Sequence, residues 1–250
     1  MKRRKIFAGN WKMFKTYSEA VELVNGLNAG LKKTEGREYV VFPPSPYLRE
    51  ISSLCASSPF ETGAQNMYFE NQGAFTGEIS PVMVKDCGAS LILIGHSERR
   101  HVFHETDEEV NKKVKAAITH GIQPMLCVGE LLEEREKGET VSVLNRQIRG
   151  AYAGVEKSDA AKISIAYEPV WAIGTGKVAT PEMAEEAHMS IRAIMKELYG
   201  DDIAAAVPIL YGGSVKPDNI AGLVKMENID GVLVGGASLE VKSFLDIINV

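Results

Sequence analysis

The chain has 250 residues, 45% hydrophobic and 24% charged, ordinary proportions for a globular protein with one sizeable core. Lys and Arg total 28 against 33 Asp and Glu, a formal charge of −5, which argues against nucleic acid or an anionic membrane as a partner. The cysteines Cys55, Cys87 and Cys127 lie far apart with no C-x-x-C pair, so a disulfide frame or zinc knuckle is not expected and a reducing compartment is.

The N-terminus, MKRRKIFAGN, is basic but its apolar run is only Ile6 to Ala8. A signal core needs roughly 7–15 apolar residues and a membrane span about 18 or more, so a cytoplasmic protein is expected. That run opens a first strand, KIFAG (5–9), which delivers Asn10, Trp11 and Lys12. Thr16 with Glu19 has capping-box spacing and predicts a helix start. Strand candidates follow at 39–42, weakly at 61–65, and at 91–95, the last delivering His96, Ser97 and Glu98. Thr106 with Glu109 repeats the capping box, a strand is predicted over 122–129, and the Glu- and Arg-rich segment 130–149 reads as a helix.

The run ISIAY (163–167) ends on a carboxylate, Glu168, followed by Pro169, Val170, Trp171, Ile173, Gly174 and Gly176. Thr180-Pro181 then starts a helix whose Met183, Ala184, Ala187, Ile191 and Ile194 keep an i, i+3/i+4, i+7 stripe. Strands at 207–213 and 231–236 end in Gly212–Ser214 and Gly235–Gly236, and a helix over 239–249 closes the chain. The eight apolar, β-branched runs are those of strands buried on both faces of a parallel sheet. Eight strand–helix alternations in 250 residues predict a closed (β/α)8 barrel, one domain over 1–250, with an open doubly wound sheet as the competitor.

Chemistry in such a barrel gathers at the C-terminal strand ends, which would bring Asn10, Lys12, His96, Glu98 and Glu168 to one mouth. Glycines there let the backbone approach a ligand, and N–H groups at a helix start attract anions. The loops after strands seven and eight are the usual phosphate site of this architecture, so a phosphorylated small molecule is the implied ligand.

The stretches AGNWKM, GHSERR, AYEPVWAIGTGK, YGGSV and VGGASL, in this order and spacing, resemble the signatures of the triosephosphate isomerase family. The likeness extends to residues 63–80 and to CVGE (127–130), nearly the whole chain. It implies a TIM barrel that interconverts dihydroxyacetone phosphate and glyceraldehyde 3-phosphate through an enediolate, in glycolysis and gluconeogenesis, with neither cofactor nor metal. Glu168 is implied as base, with its pKa raised by exclusion of solvent. His96 is implied as electrophile and proton shuttle, held neutral by the helix start after it. Lys12 and Asn10 would stabilise the developing negative charge, with Glu98 in support.

Phosphate contacts would come from Gly174, Ser214, Gly235 and Gly236, with Leu233 and Ile173 drying the site. The lid would run from Pro169, Val170 and Trp171 to a second hinge at Lys177, Val178 and Ala179, with Trp171 as its apolar anchor. A homodimer is implied too, the loop 66–79 entering the neighbour with Thr76 at its tip. Met67, Tyr68, Phe69 and Phe75 are expected to be exposed there, awkward on a monomer. Phe14 departs from the family pattern and should touch local packing rather than chemistry.

Other readings are weaker. GTGKVA (174–179) scans as a dinucleotide motif, but the acid it would need, Glu197, falls inside a helical stripe. Lys177 precedes Val178 rather than Ser or Thr, which fails for a P-loop. His96, His101, His104 and Glu105 could suggest a metal box but have no companion ligands elsewhere, and His120 and His188 read as structural. A barrel that binds phosphate ligands without turnover, or another phosphosugar barrel enzyme, would not need the whole Asn-Lys, His, Glu set.

Overall fold

Strands with two apolar faces need both covered, either by helices on each side of an open sheet or by a closed interior and one layer of helices. The computed structural model, which describes residues 3–173 and 179–250, has the second arrangement. Its strands are β1 (Lys5–Asn10), β2 (Arg37–Phe42), β3 (Phe60–Ala64), β4 (Leu91–Ile94), β5 (Gln123–Val128), β6 (Ser164–Tyr167), β7 (Ile209–Tyr211) and β8 (Gly231–Val234). All pair in parallel in chain order, and β1 pairs with β8 from Ile6↔Gly231 to Gly9↔Val234, closing the barrel. That closure rules out the open sheet.

Side-chain alternation along each strand divides the apolar residues between two clusters. Ile6, Ala8, Val40, Phe42, Leu91, Leu93, Met125, Cys127, Ala166, Leu210 and Leu233 fill the interior. Phe7, Tyr39, Val41, Ile92, Ile94, Leu126, Ile165 and Ile209 belong to the larger cluster that also holds the helices' apolar residues. Closure itself depends on one glycine. Gly231 has φ +139°, and a Cβ there would fall 1.8 Å from the Ile6 carbonyl oxygen.

The helix starts at 16 and 106 are where the capping boxes place them. Thr106 Oγ1 accepts from Glu109 N–H at 3.2 Å, while Glu109 accepts from Thr106 N–H at 2.9 Å. At Thr16 the Glu19 carboxylate accepts from both the N–H and the hydroxyl, each at 2.7 Å. Thr180 caps the helix Pro181–Tyr199 by accepting from Met183 N–H at 3.2 Å.

Two expectations need correction. The single helix over 130–149 is two, Leu132–Glu136 and Thr140–Tyr152, because the chain turns between them through Gly138 at φ +74°. The loop 66–79 is less exposed than expected. Met67 is fully buried, Tyr68 and Phe69 are half-buried, and only Phe75 is exposed. Tyr68 stacks on Phe69 at 4.1 Å and meets Phe75 at 4.5 Å, so the loop packs against itself.

Candidate active site

The C-terminal ends of β1, β4, β6, β7 and β8 surround a cleft of about 330 Å3. Asn10, Lys12, His96, Glu168, Ile173, Ser214, Leu233, Gly235 and Gly236 all line it. Glu98 sits at its edge, on the wall of a second cavity that shares Asn10, Lys12 and His96.

Each side chain is aimed by local structure. Lys12 has a left-handed backbone, φ +50°, held by its N–H donating to Asn10 Oδ1 at 3.0 Å. Gln65 Nε2 also donates to the Lys12 carbonyl at 2.9 Å, tying the loop after β1 to that after β3. Lys12 Nζ reaches Glu98 Oε1 at 2.6 Å, so Glu98 pairs with Lys12 and not with Arg99 beside it. Arg99 bonds instead to buried Glu105, which also pairs with Lys113. His101 and His104 are exposed, so the potential metal box of the sequence is split between cleft, core and surface.

Glu168 is buried, 2% exposed, and its peptide N–H donates to Val128 O at 2.7 Å. The neighbouring strand end can come this close only at a glycine, since a Cβ on Gly129 would lie 1.7 Å from the Glu168 carbonyl oxygen. The carboxylate accepts from Ser97 N–H at 2.9 Å, Ser97 Oγ at 3.3 Å and His96 Nε2 at 3.0 Å. Ser97, to which sequence reasoning assigned no role, is therefore a direct partner of the acid. Its signal was adjacency to His96 at a strand end.

Protonation is set by competing effects. Burial raises the Glu168 pKa, but His96, the Ser97 N–H and Lys12 outweigh it and hold the carboxyl below its ordinary value. The raised pKa expected for a base sealed from water does not hold in this arrangement, because His96 and the Ser97 N–H stabilise the charged carboxylate. His96 caps the short helix Ser97–His101, its Nδ1 accepting from Glu98 N–H at 3.2 Å. Burial lowers the imidazole pKa, yet Glu168 beside Nε2 outweighs it and raises the value, correcting the expected depression. The neutral tautomer instead follows from geometry. An Nδ1 that accepts carries no proton, so Nε2–H donates to Glu168.

Of the expected lid, Pro169 and the helical turn Val170–Ala172 are well tied down. Val170 N–H donates to Glu130 O at 3.1 Å, and Trp171 Nε1 donates to Glu130 Oε1 at 3.0 Å. Trp171 is thus a polar as well as an apolar anchor, with Arg135 stacked 4.8 Å from its ring. Glu130, also not assigned by sequence, additionally accepts from Tyr167 OH at 3.0 Å. Ala179 is buried where the described chain resumes. Gly174, Gly176, Lys177 and Val178 lie outside the described residues.

At the opposite wall, Gly235 starts the helical turn Gly236–Leu239, its carbonyl held by Ser238 N–H at 2.8 Å and Ser238 Oγ at 2.7 Å. Ser214 precedes a turn closed by Asn219, whose Nδ2 donates to Ser214 O at 3.0 Å. Phe14 and Lys216 line the cleft too, so the departure at Phe14 touches the cleft and not only local packing. Glu197 is on the helix Pro181–Tyr199 and pairs with Arg149, far from any dinucleotide role. Among the described residues, no helix is long and apolar enough to cross a membrane.

Comparison with known proteins agrees with this geometry. Residues 5–250 match the family described as Triosephosphate isomerase. A triosephosphate isomerase of Caldanaerobacter subterraneus subsp. tengcongensis is 54% identical over 99% of this chain and 99% of its own. Those of Chloroflexus aurantiacus and Roseiflexus sp. are 52% and 51% identical, covering 98% and 99% of this chain and 98% and 97% of theirs.

Proposed function

Since the chain belongs to the triosephosphate isomerase family and is an aldose–ketose isomerase of triose phosphates, we propose that Glu168, His96, Lys12 and Asn10 carry out the reaction in the cleft described above. Supporting this most directly is the 3.0 Å contact between Glu168 and His96 inside a cleft whose far wall is the Gly235–Gly236 turn. A base and a proton carrier flank the same space, and a small-residue anion site bounds it. A non-catalytic phosphate-binding barrel is not favoured, because it would need neither.

Glu168 exchanges Ser97 and His96 for substrate and removes a proton from the carbon next to the carbonyl. The electron pair moves onto the carbonyl oxygen as an enediolate. His96 gives its Nε2 proton to that oxygen and recovers one from the neighbouring hydroxyl. Glu168 then returns its proton to the adjacent carbon, completing the ketose–aldose exchange with no net redox change. Lys12 Nζ leaves Glu98 for the developing charge, and Asn10 Nδ2 is available beside it because its Oδ1 is engaged by Lys12 N–H. Ser214, Gly235, Gly236 and Gly174 hold the phosphate, while Ile173 and Leu233 exclude water over the carboxylate. Residues 169–179 act as the lid, with Lys177, Val178 and Ala179 as its second hinge. The reaction requires no cofactor.

The protein acts as a cytoplasmic homodimer of single 1–250 barrel domains, with Thr76 of each loop 66–79 seated against the other protomer. The second cavity, about 310 Å3 and bounded by Met13, Gln65, Glu98 and Phe103, supports this reading. Met13 is 95% exposed and Phe103 65%, an apolar rim suited to a partner. A coupled assay with dihydroxyacetone phosphate tests the reaction: rapid formation of glyceraldehyde 3-phosphate without added cofactor is expected, and none would rule it out. Sedimentation alongside assay on dilution tests the dimer, which predicts that activity falls as protomers separate.

A further inference from the structure

A triose phosphate enters the cleft carrying close to two negative charges. The cations there are not all available to it. Lys12 is 2.6 Å from Glu98, and Glu168 adds a second carboxylate, so these three side chains sum to a negative charge on a chain already at −5. Some other positive group has to offset that field at the entrance.

Lys216 meets the requirement. It lines the same cleft on the loop after β7, is exposed, and has no ion-pair partner among the described residues. Its backbone is fixed relative to the proposed phosphate site. Lys216 N–H donates to Asn219 Oδ1 at 2.9 Å, and Asn219 Nδ2 donates to Ser214 O at 3.0 Å. One asparagine side chain thus holds the lysine and the serine in a single closed turn. We propose that Lys216 is a positioning cation for the phosphate group, drawing the dianion to the Ser214 side of the cleft before Lys12 is released from Glu98.

This rests on the isomerase reading above. Lys216 touches no reacting atom, so its influence falls on capture of substrate rather than on proton transfer. An exposed charge acts through solvent and is screened within a Debye length, about 10 Å at 0.1 M salt. Steering of this kind therefore has a signature that a packing role lacks: it fades with ionic strength.

The test compares wild type, Lys216→Gln and Lys216→Arg across ionic strengths from about 0.01 M to about 1 M. Both kcat/KM for glyceraldehyde 3-phosphate and calorimetric binding of inorganic phosphate are measured. At low salt Lys216→Gln should lose about 3–10-fold in kcat/KM, carried by KM, and weaken phosphate binding similarly. The curves should converge at high salt, and Lys216→Arg should restore them. Equal values at low salt would overturn the proposal, as would a deficit that persists undiminished at high salt. A wild type inactive as an isomerase would overturn the reaction assignment instead, while phosphate binding would still report on Lys216.

Discussion

The mouth and the floor of this barrel each bury a carboxylate and a histidine, and they use them in opposite ways. On the floor, Asp230 accepts from Arg3 Nε at 2.7 Å, Arg192 at 3.0 Å and Ile209 N–H at 3.1 Å. At the mouth, Glu168 accepts from buried Ser97 and from His96, and His96 lines the open cleft. Asp230 is bound by fixed cations that bridge the chain's start, its longest helix and the strand pair β7–β8. Glu168 is held by the helix start at His96 and Ser97, and His96 faces the cleft where a ligand would sit.

The histidines repeat the contrast. His188 is fully buried, with Nδ1 donating to Asn228 O at 3.1 Å and its ring edge-on to Tyr167. Burial, opposed by the Asn228 carbonyl and reinforced by Arg192 and Lys5, pushes its pKa down to about 3. His96, nearly as buried, has Glu168 beside it and moves the other way. Burial makes a polar group costly in both places. What differs is whether its partners are permanent, which serves stability, or exchangeable, which serves chemistry.

The largest effect that could break this comparison is at Glu168. Glu168→Gln keeps the shape and the Ser97 contact but removes the base, so turnover should fall by about 10³-fold or more with the far-UV circular dichroism unchanged. Near-normal activity would show that the mouth carboxylate is structural like its counterpart below. Asp230→Ala should do the reverse, leaving Arg192 buried without its carboxylate. About 3 kcal/mol of stability is expected to go in a urea titration, with kcat of the folded fraction retained. If turnover fell with little loss of stability, the division of roles would be wrong.

His188 sharpens the comparison through pH. Its folded pKa, about 3, lies below the ordinary histidine value near 6.5, so between them the unfolded chain binds the extra proton. Stability therefore drops as pH falls from about 6.5, by up to about 1.4 kcal/mol per pH unit. Denaturation of His188→Gln between pH 7 and 4.5 should show a shallower slope; an identical slope would remove His188 from the account. The smallest effect is at Trp171→Phe, which keeps the ring packing but loses the donor to Glu130. About 1 kcal/mol is expected in thermal melts, since Tyr167 and Arg135 still bond to the same oxygen. No change would mean that the indole N–H contributes nothing to anchoring the turn.

Much of the architecture was legible beforehand. The eight apolar runs, the threonine caps at 16, 106 and 180, and the order of residues after each strand follow from local rules of burial and capping that act within a few positions. Glu168 and His96 could be singled out because strand-end polar residues between apolar runs are conspicuous. The break at Gly138 was missed because Glu and Arg favour helix on both sides of it. Met67 was placed outside because a loop residue next to aromatics gives no sign of which side chain turns inward.

Sequence alone determined which residues follow the end of each strand, since the order of the apolar runs and the twofold alternation of side chains are properties of the chain itself. Only the tertiary structure decided how they are charged. The low Glu168 pKa, the raised His96 pKa and the Lys12–Glu98 pair arise from contacts between strand ends 71 to 86 residues apart. Electrostatics depends on distance through space and on burial, and neither is written at any one position.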